Sequence, residues 1–316
     1  MKKIYVAFFS ILTYAGFAQQ DIQFTQYMFN KIYYNPGVTG SGSAICVNAF
    51  HRSQWVGFEG APTSQSVNIN APINKLHGGL ALRIANDQIG FFQNINFGLN
   101  YGYQFKNIMG GTLGLGIGVD VYNSAIKDAI WITPSSLGGG TDTGIPQDKK
   151  SGTSVDVSFG AYFENSDWWA GISSTHLAET SSSIQSAAGG DANYAGKRHL
   201  YAMGGYNYDL TASNITLQPS LLIKSDLVSS PVVDVNIMAL YNKKLWAGVT
   251  YRLTEAVGIN VGYQIMKSLK AGYAYDVPLT EVSQQGGGSH EIFLNYCFKI
   301  EIPVKPHGYH KTIRFL

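Results

Sequence analysis

The sequence is poor in charged residues: only 13% of its 316 residues are Asp, Glu, Lys or Arg, against about a quarter in ordinary soluble domains. Beyond the first residues it contains no apolar run of the roughly 20 residues that a transmembrane helix needs, which excludes a helical membrane protein. Basic and acidic residues almost balance, and no basic segment carries interleaved aromatic residues. The composition therefore gives no reason to expect nucleic acid as a partner.

Catalytic and metal-binding motifs are missing as well. The sequence contains no Gly-x-Ser-x-Gly elbow, no His-Glu-x-x-His helix and no paired-cysteine metal spacing. Gly114, Gly116 and Gly118 alternate with apolar residues inside one predicted strand, and no helix follows, so they do not form a phosphate-binding loop. His307 and His310 lack the further ligands that a metal site requires. We predict that the protein is not an enzyme and has neither a cofactor nor a metal ion.

The sequence is rich in glycine and tyrosine, and in segments where apolar residues alternate with polar residues or glycine. In residues 95–105 every odd position is apolar and every even position is polar or glycine, and similar patterns return in 112–121, 154–163, 257–265 and 291–300. Strict alternation is typical of a strand with one apolar face. Because the other face carries mainly Gly, Asn, Ser and Thr, the pattern favours a membrane barrel with a polar lumen over a secreted β-sandwich or propeller.

Fourteen such segments can be counted along the chain. Most are close in length to the roughly 9–11 residues with which a tilted strand crosses a bilayer. Links after even-numbered segments are short and links after odd-numbered segments include every long one, as in barrels with short periplasmic turns and long external loops. We therefore predict an all-β fold, a transmembrane antiparallel up-and-down β-barrel of about 14 strands. The predicted strands are 43–52, 64–73, 77–86, 91–105, 111–122, 153–164, 168–177, 198–209, 214–226, 231–241, 244–253, 256–266, 269–277 and 289–300.

Residues 1–18 are predicted to be a signal peptide. Lys2 and Lys3 form its positive start, an apolar stretch follows, and Gly16 and Ala18 supply the small residues that a signal peptidase recognises. We predict cleavage after Ala18. The alternative is an uncleaved membrane anchor, for which the apolar stretch is too short to span a bilayer comfortably.

Two further segments, 19–42 and 301–316, flank the predicted barrel at 43–300. In the first, the apolar residues Phe24, Tyr27, Met28 and Ile32 recur at helical spacing before a turn at 35–37. This spacing predicts a short helix that forms an N-terminal plug segment in the periplasmic mouth; a disordered tail is the alternative. The second contains two prolines and several basic residues. We predict that it is a periplasmic tail, which either contacts a partner or stays solvated.

The sequence has two cysteines, Cys46 near the start of the first predicted strand and Cys297 near the end of the last. In a closed barrel these two strands pair antiparallel, and both residues fall in the lumen-facing register. We expect them to lie close together near the periplasmic rim. Export permits a disulfide between them, but two free thiols are the favoured alternative because disulfide geometry is demanding.

The five tryptophans fall into two groups. Trp168, Trp169 and Trp246 lie at strand ends next to short turns, as expected for the aromatic girdle of a membrane barrel. Trp55 and Trp131 lie in long external loops instead, where an exposed tryptophan can act as a contact anchor for a protein partner. The alternative is that they pack inside the loops.

Several stretches resemble the PorP/SprF family, and they extend from about residue 20 to about residue 300. The loops 123–152 and 178–197 show no match. The stretches that carry the resemblance are 23–30 (QFTQYMFN), 35–37 (NPG), 52–62 (RSQWVGFEGAP), 86–90 (NDQIG), 272–276 (GYAYD) and 289–292 (SHEI).

The resemblance implies an outer-membrane barrel that works with type IX secretion. Some proteins of this family hold secreted proteins at the cell surface, including gliding adhesins that end in a type B C-terminal domain, and others associate with the periplasmic ring of the secretion and motility machinery. We expect the first role, with a secreted cargo protein carrying a C-terminal sorting domain as partner. Attachment to the periplasmic ring is the alternative, and a transporter for small apolar compounds is a third.

The loop at 52–62 is the predicted centre of partner binding. Its glycines and proline are expected to fix its shape, and its aromatic residues to act as apolar anchors. The alternative is internal bracing, in which Arg52 forms an ion pair in the lumen and Trp55 packs beneath other loops. The candidate partner-binding residues are Arg52, Gln54, Trp55, Gly57, Phe58, Gly60, Pro62 and Trp131.

Overall fold

The computed structural model describes residues 21–127, 150–185, 191–210, 213–281 and 286–299. The predicted signal peptide, the predicted tail at 301–316 and Trp131 lie outside these residues. The strands are β1 (Ile45–Ser53), β2 (Thr63–Ile73), β3 (Gly78–Ile89), β4 (Phe92–Ile108), β5 (Gly111–Ile126), β6 (Lys150–Glu164), β7 (Trp168–Thr175), β8 (Ser181–Gln185), β9 (Asp191–Ala195), β10 (His199–Tyr206), β11 (Tyr208–Asp209), β12 (Ile215–Ser225), β13 (Val232–Tyr241), β14 (Leu245–Arg252), β15 (Ala256–Met266), β16 (Leu269–Pro278) and β17 (Ser289–Phe298).

Helical structure in the described ranges is short. One α-helix, α1, spans Lys31–Tyr34, and single 3₁₀ turns occur at Tyr27–Phe29, Pro36–Val38 and Asn74–Leu76. No helix in this part of the chain is long and apolar enough to cross a membrane.

The strands close into an antiparallel barrel. Strands β1 to β7 pair in chain order, β7 pairs with β10, and β10 pairs with β12. The order then continues to β17, which pairs with β1 and closes the ring. Strands β8 and β9 form a separate hairpin outside the ring. Strand β11 follows β10 after a one-residue break and pairs with the same neighbour, β12, so β10 and β11 count as one barrel strand. The barrel therefore has 14 strands. The predicted fold is confirmed, and each predicted strand overlaps a strand of the barrel.

The alternation in the sequence corresponds to the two faces of this wall. In β4, Phe97, Leu99 and Phe105 point outward and are exposed, whereas Asn96 and Asn100 point into the lumen and are buried. Because successive side chains of a strand point to opposite faces, the whole wall acquires an apolar exterior. Such an exterior matches the hydrocarbon of a bilayer.

The two ends of the barrel differ in their links. The short-turn end carries links 74–77, 109–110, 165–167, 242–244 and 267–268. The long-loop end carries the shorter links 90–91, 226–231 and 253–255 and the longer links 54–62, 127–149, 176–198 and 279–288. In an outer-membrane barrel the short turns face the periplasm and the long loops face outward.

The first and last strands are also joined covalently. Cys46 and Cys297 are register partners across the β1–β17 pair, with their Cα atoms 4.1 Å apart, and the structure links them by a disulfide. This is the arrangement that the sequence allowed but did not favour. Strand pairing supplies the required approach, because directly opposed residues of antiparallel strands lie well inside the roughly 7 Å beyond which two Cα atoms cannot be bridged by a disulfide.

Residues 21–42, which we term the lumen segment, lie inside the barrel. Phe24, Tyr27 and Tyr34 are buried. Hydrogen bonds join the segment to several sides of the wall: Asn30 accepts one from β2, Asn35 donates one to β6, and the hydroxyl of Tyr27 shares one with β12. The segment runs from the long-loop end, where Asp21 contacts His176, to the short-turn end, where Gly40 lies against Gly79. It therefore extends further than a plug confined to the periplasmic mouth.

A patch of glycine makes room for this segment. We term Gly102, Gly114, Gly116 and Gly160 the glycine floor; they lie on β4, β5 and β6 beneath residues 35–39. A Cβ atom added at Gly116 would clash with the carbonyl oxygen of Pro36, and one added at Gly160 would clash with the side chain of Asn35. The alternating glycines of these strands thus serve close backbone approach, in addition to lining a polar interior.

Candidate functional site

The loop 54–62 at the long-loop end is held in place by backbone hydrogen bonds. Within the loop, the N–H of Gln54 donates to the carbonyl of Pro62 at 2.9 Å. Towards the β16–β17 link, the N–H of Val56 donates to Gly288 at 3.0 Å, and Val56 accepts a bond from Gly287 at 2.6 Å. A well-bonded backbone loses little conformational freedom when a partner binds.

A second neighbour holds the far side of the same loop. The N–H of Gly90, in the β3–β4 link, donates to the carbonyl of Gly60 at 2.9 Å. Gly57 and Gly60 adopt φ values of 96° and 76°, a region that is costly for residues with a Cβ atom. The two glycines therefore fix the turns of the loop, as the sequence predicts. The backbone hydrogen bonds of Val56 and Gly60 join the loop to the β16–β17 link and to the β3–β4 link.

Two side chains of this loop are apolar and exposed. Val56 is 45% exposed and Phe58 is 46% exposed, and Phe91 in the adjoining β3–β4 link is 47% exposed. We term these three residues the rim patch. Trp55 is only partly exposed, and its backbone N–H lies 3.2 Å from the hydroxyl of Ser289. The structure thus brings out Phe58 as an anchor candidate and adds Val56 and Phe91, which the sequence did not single out.

The structure corrects the predicted position of Arg52. This residue belongs to β1 and is only 2% exposed, because its register places it on the lumen side of the wall. Its guanidinium lies 2.7 Å from Asp276 and 3.2 Å from Glu291 and donates to the hydroxyl of Thr25 at 2.8 Å. Arg52 therefore braces the interior through ion pairs in the lumen, which is the alternative given for it in the sequence analysis, and its side chain does not reach the outer surface. Gln54 and Pro62 are partly exposed at the base of the loop.

Arg52 is part of a buried charge network that holds the lumen segment. Both carboxylate oxygens of Glu291 accept backbone N–H bonds from that segment, from Thr25 at 2.7 Å and from Gln26 at 2.9 Å. The hydroxyl of Thr25 donates to Asp276. Buried charges are costly unless they are paired and hydrogen-bonded, and here the lumen segment supplies part of that pairing. The other members of the network are Lys224, Asp234 and Arg252.

Asp120, Asp234 and Glu291 are buried at lumen positions of β5, β13 and β17, and the alternating pattern by itself does not identify their partners. The partners are basic residues in the lumen register of other strands. Arg252 is the register partner of Asp234, and Arg83 on β3 reaches Asp120 on β5 across Gly98 of β4. These basic partners could have been found in the sequence by searching the lumen positions of the predicted strands for Arg and Lys.

Comparison with known proteins assigns a family. The chain matches the family described as Type IX secretion system membrane protein PorP/SprF over residues 16–296. No curated protein sequence matches the chain.

Among solved structures, the chain is similar to other barrels. The CymD monoaromatic hydrocarbon channel is 9% identical, with a TM-score of 0.48 over 88% of this chain and 94% of that one. The Pseudomonas putida toluene transporter TodX is 10% identical, with a TM-score of 0.48 over 85% and 93%. The Acinetobacter baumannii outer membrane protein Omp33 is 9% identical, with a TM-score of 0.44 over 82% and 100%.

Proposed function

The chain belongs to the PorP/SprF family of type IX secretion system membrane proteins, and from this premise we propose that it binds a secreted surface protein and anchors it to the cell. The family and the barrel fold are those of a secretion or transport protein of the outer membrane. The partner would be a cargo protein with a C-terminal sorting domain, such as an adhesin with a type B C-terminal domain. It would dock at the long-loop end.

The rim patch is the observation that carries this proposal. Val56, Phe58 and Phe91 expose apolar area at the long-loop end, beyond the strands that face lipid. The backbone N–H of Val56 donates to Gly288, that of Phe58 donates to Trp55, and that of Gly90, next to Phe91, donates to Gly60. Exposed aromatic side chains on a rigid support are the features that dominate binding energy at protein interfaces.

The lumen segment supports docking on the rim over passage through the barrel. It crosses the interior between the two ends, and its aromatic residues Phe24, Phe29 and Tyr34 pack against wall residues. Ion pairs below the loop 54–62, made by Arg52 with Asp276 and Glu291, stiffen the base of the patch. A partner therefore meets a prearranged surface.

Affinity purification from native outer membranes tests the proposal. The tagged barrel is purified and the co-purifying proteins are identified by mass spectrometry. We expect a large secreted protein in near-equal amount with the wild type, and its loss from the double variant Val56→Ser/Phe58→Ser at unchanged barrel yield. Leu227→Ser is the matched control, because Leu227 is also exposed at the long-loop end but follows β12, six strands away around the barrel.

Each other result has a definite meaning. Cargo that stays bound to the double variant would contradict docking at the rim patch, and loss of the barrel itself would indicate that the loop only braces the fold. Periplasmic ring proteins in place of cargo would move the function to the secretion machinery. Recovery of the barrel without any partner would favour transport of small apolar compounds.

A further inference from the structure

Three residues from separate parts of the chain meet at the long-loop end. Asp21 lies in the lumen segment, His176 is the first residue after β7, and His199 is the first residue of β10. One carboxylate oxygen and one imidazole nitrogen from each histidine lie within 4.8 Å of one another. The strand pairing explains the meeting, because Thr175 and His199 are register partners across β7 and β10.

One nitrogen of His199 has no hydrogen-bond partner within the part of the chain that the structure describes. The residue is 5% exposed, and its Nδ1 lies 2.8 Å from the carbonyl oxygen of Lys197, so Nδ1 carries the proton and donates it. Its Nε2 is buried and has no hydrogen-bond partner among the described residues; in the neutral ring this nitrogen bears a lone pair. A buried polar atom without a partner is rare in folded proteins and requires an explanation.

The other two ligand candidates, His176 and Asp21, each contact a further polar side chain that orients them. The Nε2 atom of His176 lies 3.1 Å from one oxygen of Asp21, and its Nδ1 lies 3.7 Å from a carboxylate oxygen of Asp156. The second oxygen of Asp21 accepts a hydrogen bond from the hydroxyl of Tyr201 at 2.5 Å. Metal-binding histidines and carboxylates are typically oriented by outer partners of these kinds, namely a carboxylate, a backbone carbonyl or a hydroxyl.

We propose that Asp21, His176 and His199 bind a divalent transition metal ion, with zinc as the best match. Two imidazoles and one carboxylate form a common ligand set for Zn²⁺. Bonds of about 2.0–2.1 Å in a tetrahedral site place ligand atoms roughly 3.4 Å apart. The His176–Asp21 pair, at 3.1 Å, is close to that spacing, and His199 offers a third ligand atom within 4.8 Å of both.

A water molecule can complete the coordination. The three residues line a cavity of about 60 Å³, together with Asp87, Asn96 and other polar side chains. This volume holds a water molecule, and the polar lining offers it hydrogen-bond partners. The ion would then have three protein ligands, with the water molecule at the fourth, open position.

A proton is the competing occupant of the cluster. Both nitrogens of His176 face carboxylates, Nε2 at 3.1 Å from Asp21 and Nδ1 at 3.7 Å from Asp156, and this geometry favours the protonated ring. An imidazolium would therefore pair with Asp21 when no metal is present. That state leaves the Nε2 atom of His199 without a partner, whereas a metal ion satisfies all three groups.

The metal ion would tie three segments of the barrel together. Asp21 lies at the start of the described lumen segment, His176 begins the link 176–198, and His199 directly follows that link. A single ion would therefore fix both ends of an outer loop and attach the lumen segment to the wall beside them.

Zinc binding to the purified barrel tests the site. The full chain, purified in detergent with a tag that contains no histidine and stripped with a chelator, is titrated with Zn²⁺ alone by calorimetry, and bound zinc is counted by mass spectrometry. We expect one tightly bound zinc per wild-type barrel. His199→Gln should weaken binding at least 100-fold, and Asp156→Asn, which removes an outer partner, should weaken it about 10- to 100-fold.

Two controls separate this site from adventitious binding. His51 is exposed and lies on the outer wall, so His51→Gln should bind zinc like the wild type. The double variant His307→Gln/His310→Gln should also be unchanged. Heat-modifiable migration on gels checks that each variant is folded. The proposal is overturned if the folded wild type retains no zinc, if His199→Gln binds as tightly as the wild type, or if only the double variant loses it.

Discussion

The lumen segment is held by two regions of the wall that work in different ways. Residues 35–39 rest on the glycine floor. The contact there depends on the absence of side chains and on a few hydrogen bonds, such as the one that the side-chain amide of Asn35 donates to the carbonyl of Ala161. Thr25 and Gln26 are held by the charge network instead, through the carboxylates of Asp276 and Glu291. One region provides shape and the other provides charge.

The difference shows how a polar lumen can be filled. Close packing of backbone on backbone needs no buried charge, but it tolerates no added atoms because protein interiors are densely packed. A buried charge network tolerates small changes of shape, but each charge depends on the others, and removal of one leaves the rest uncompensated. The two regions should therefore respond to different substitutions and by different amounts.

The largest effect is expected in the charge network. Arg52→Ala removes the cation that Asp276 and Glu291 share and leaves both carboxylates buried with less compensation. Loss of one partner of a buried ion pair costs about 3–5 kcal/mol. We expect a corresponding fall in the free energy of unfolding, measured by urea denaturation of the folded barrel in lipid vesicles.

Arg198→Ala is the control for that substitution. Arg198 pairs with Glu179 at 3.8 Å, and both side chains are well exposed, so its loss should cost about 0–1 kcal/mol. If both arginine variants unfold at the same urea concentration, the network does not stabilise the barrel, and the distinction between the two regions fails.

An intermediate effect is expected on the glycine floor. Gly116→Ala places a methyl group against the carbonyl oxygen of Pro36, which belongs to the backbone and cannot rotate away. Overpacking of this kind costs about 1–3 kcal/mol. We expect a lower urea midpoint, together with faster protease cleavage in the lumen segment.

The matched substitution is Gly204→Ala on β10. The nearest atom to its added Cβ lies 3.4 Å away, which is ordinary contact, so stability should change by less than about 0.5 kcal/mol. Equal behaviour of the two variants would show that the lumen segment does not rest on Gly116.

Much of the wall could be predicted from the sequence because alternation is a local signal. Each strand shows its own two faces, and the parity of the links then fixes the order of the ring. The position of Cys46 opposite Cys297 follows from the same reasoning, since both lie in the lumen register near one end. Whether the two sulfur atoms bond depends on distances that no pattern contains.

The filling of the lumen could not be predicted in the same way. A glycine that faces water and one that faces Pro36 look identical at alternate positions of a strand. Arg52 is the last residue of the predicted strand 43–52 and the first of the predicted loop 52–62, whereas β1 continues to Ser53 and pairs Arg52 with Glu291. His176 and His199 are 23 positions apart in the sequence, and only the pairing of β7 with β10 brings them together.

The smallest effect is expected for a neutral contact between the lumen segment and the wall. The hydroxyl of Tyr27 lies 2.9 Å from that of Ser220 on β12, and neither group is charged. Tyr27→Phe removes this bond but keeps the ring in its packing position, so the free energy of unfolding should fall by about 0.5–1.5 kcal/mol. A double-mutant cycle with Ser220→Ala isolates the bond itself, because the two losses should not add. If Tyr27→Phe costs as much as Arg52→Ala, buried charge has no special weight in this lumen, and the shape of the segment alone holds it in place.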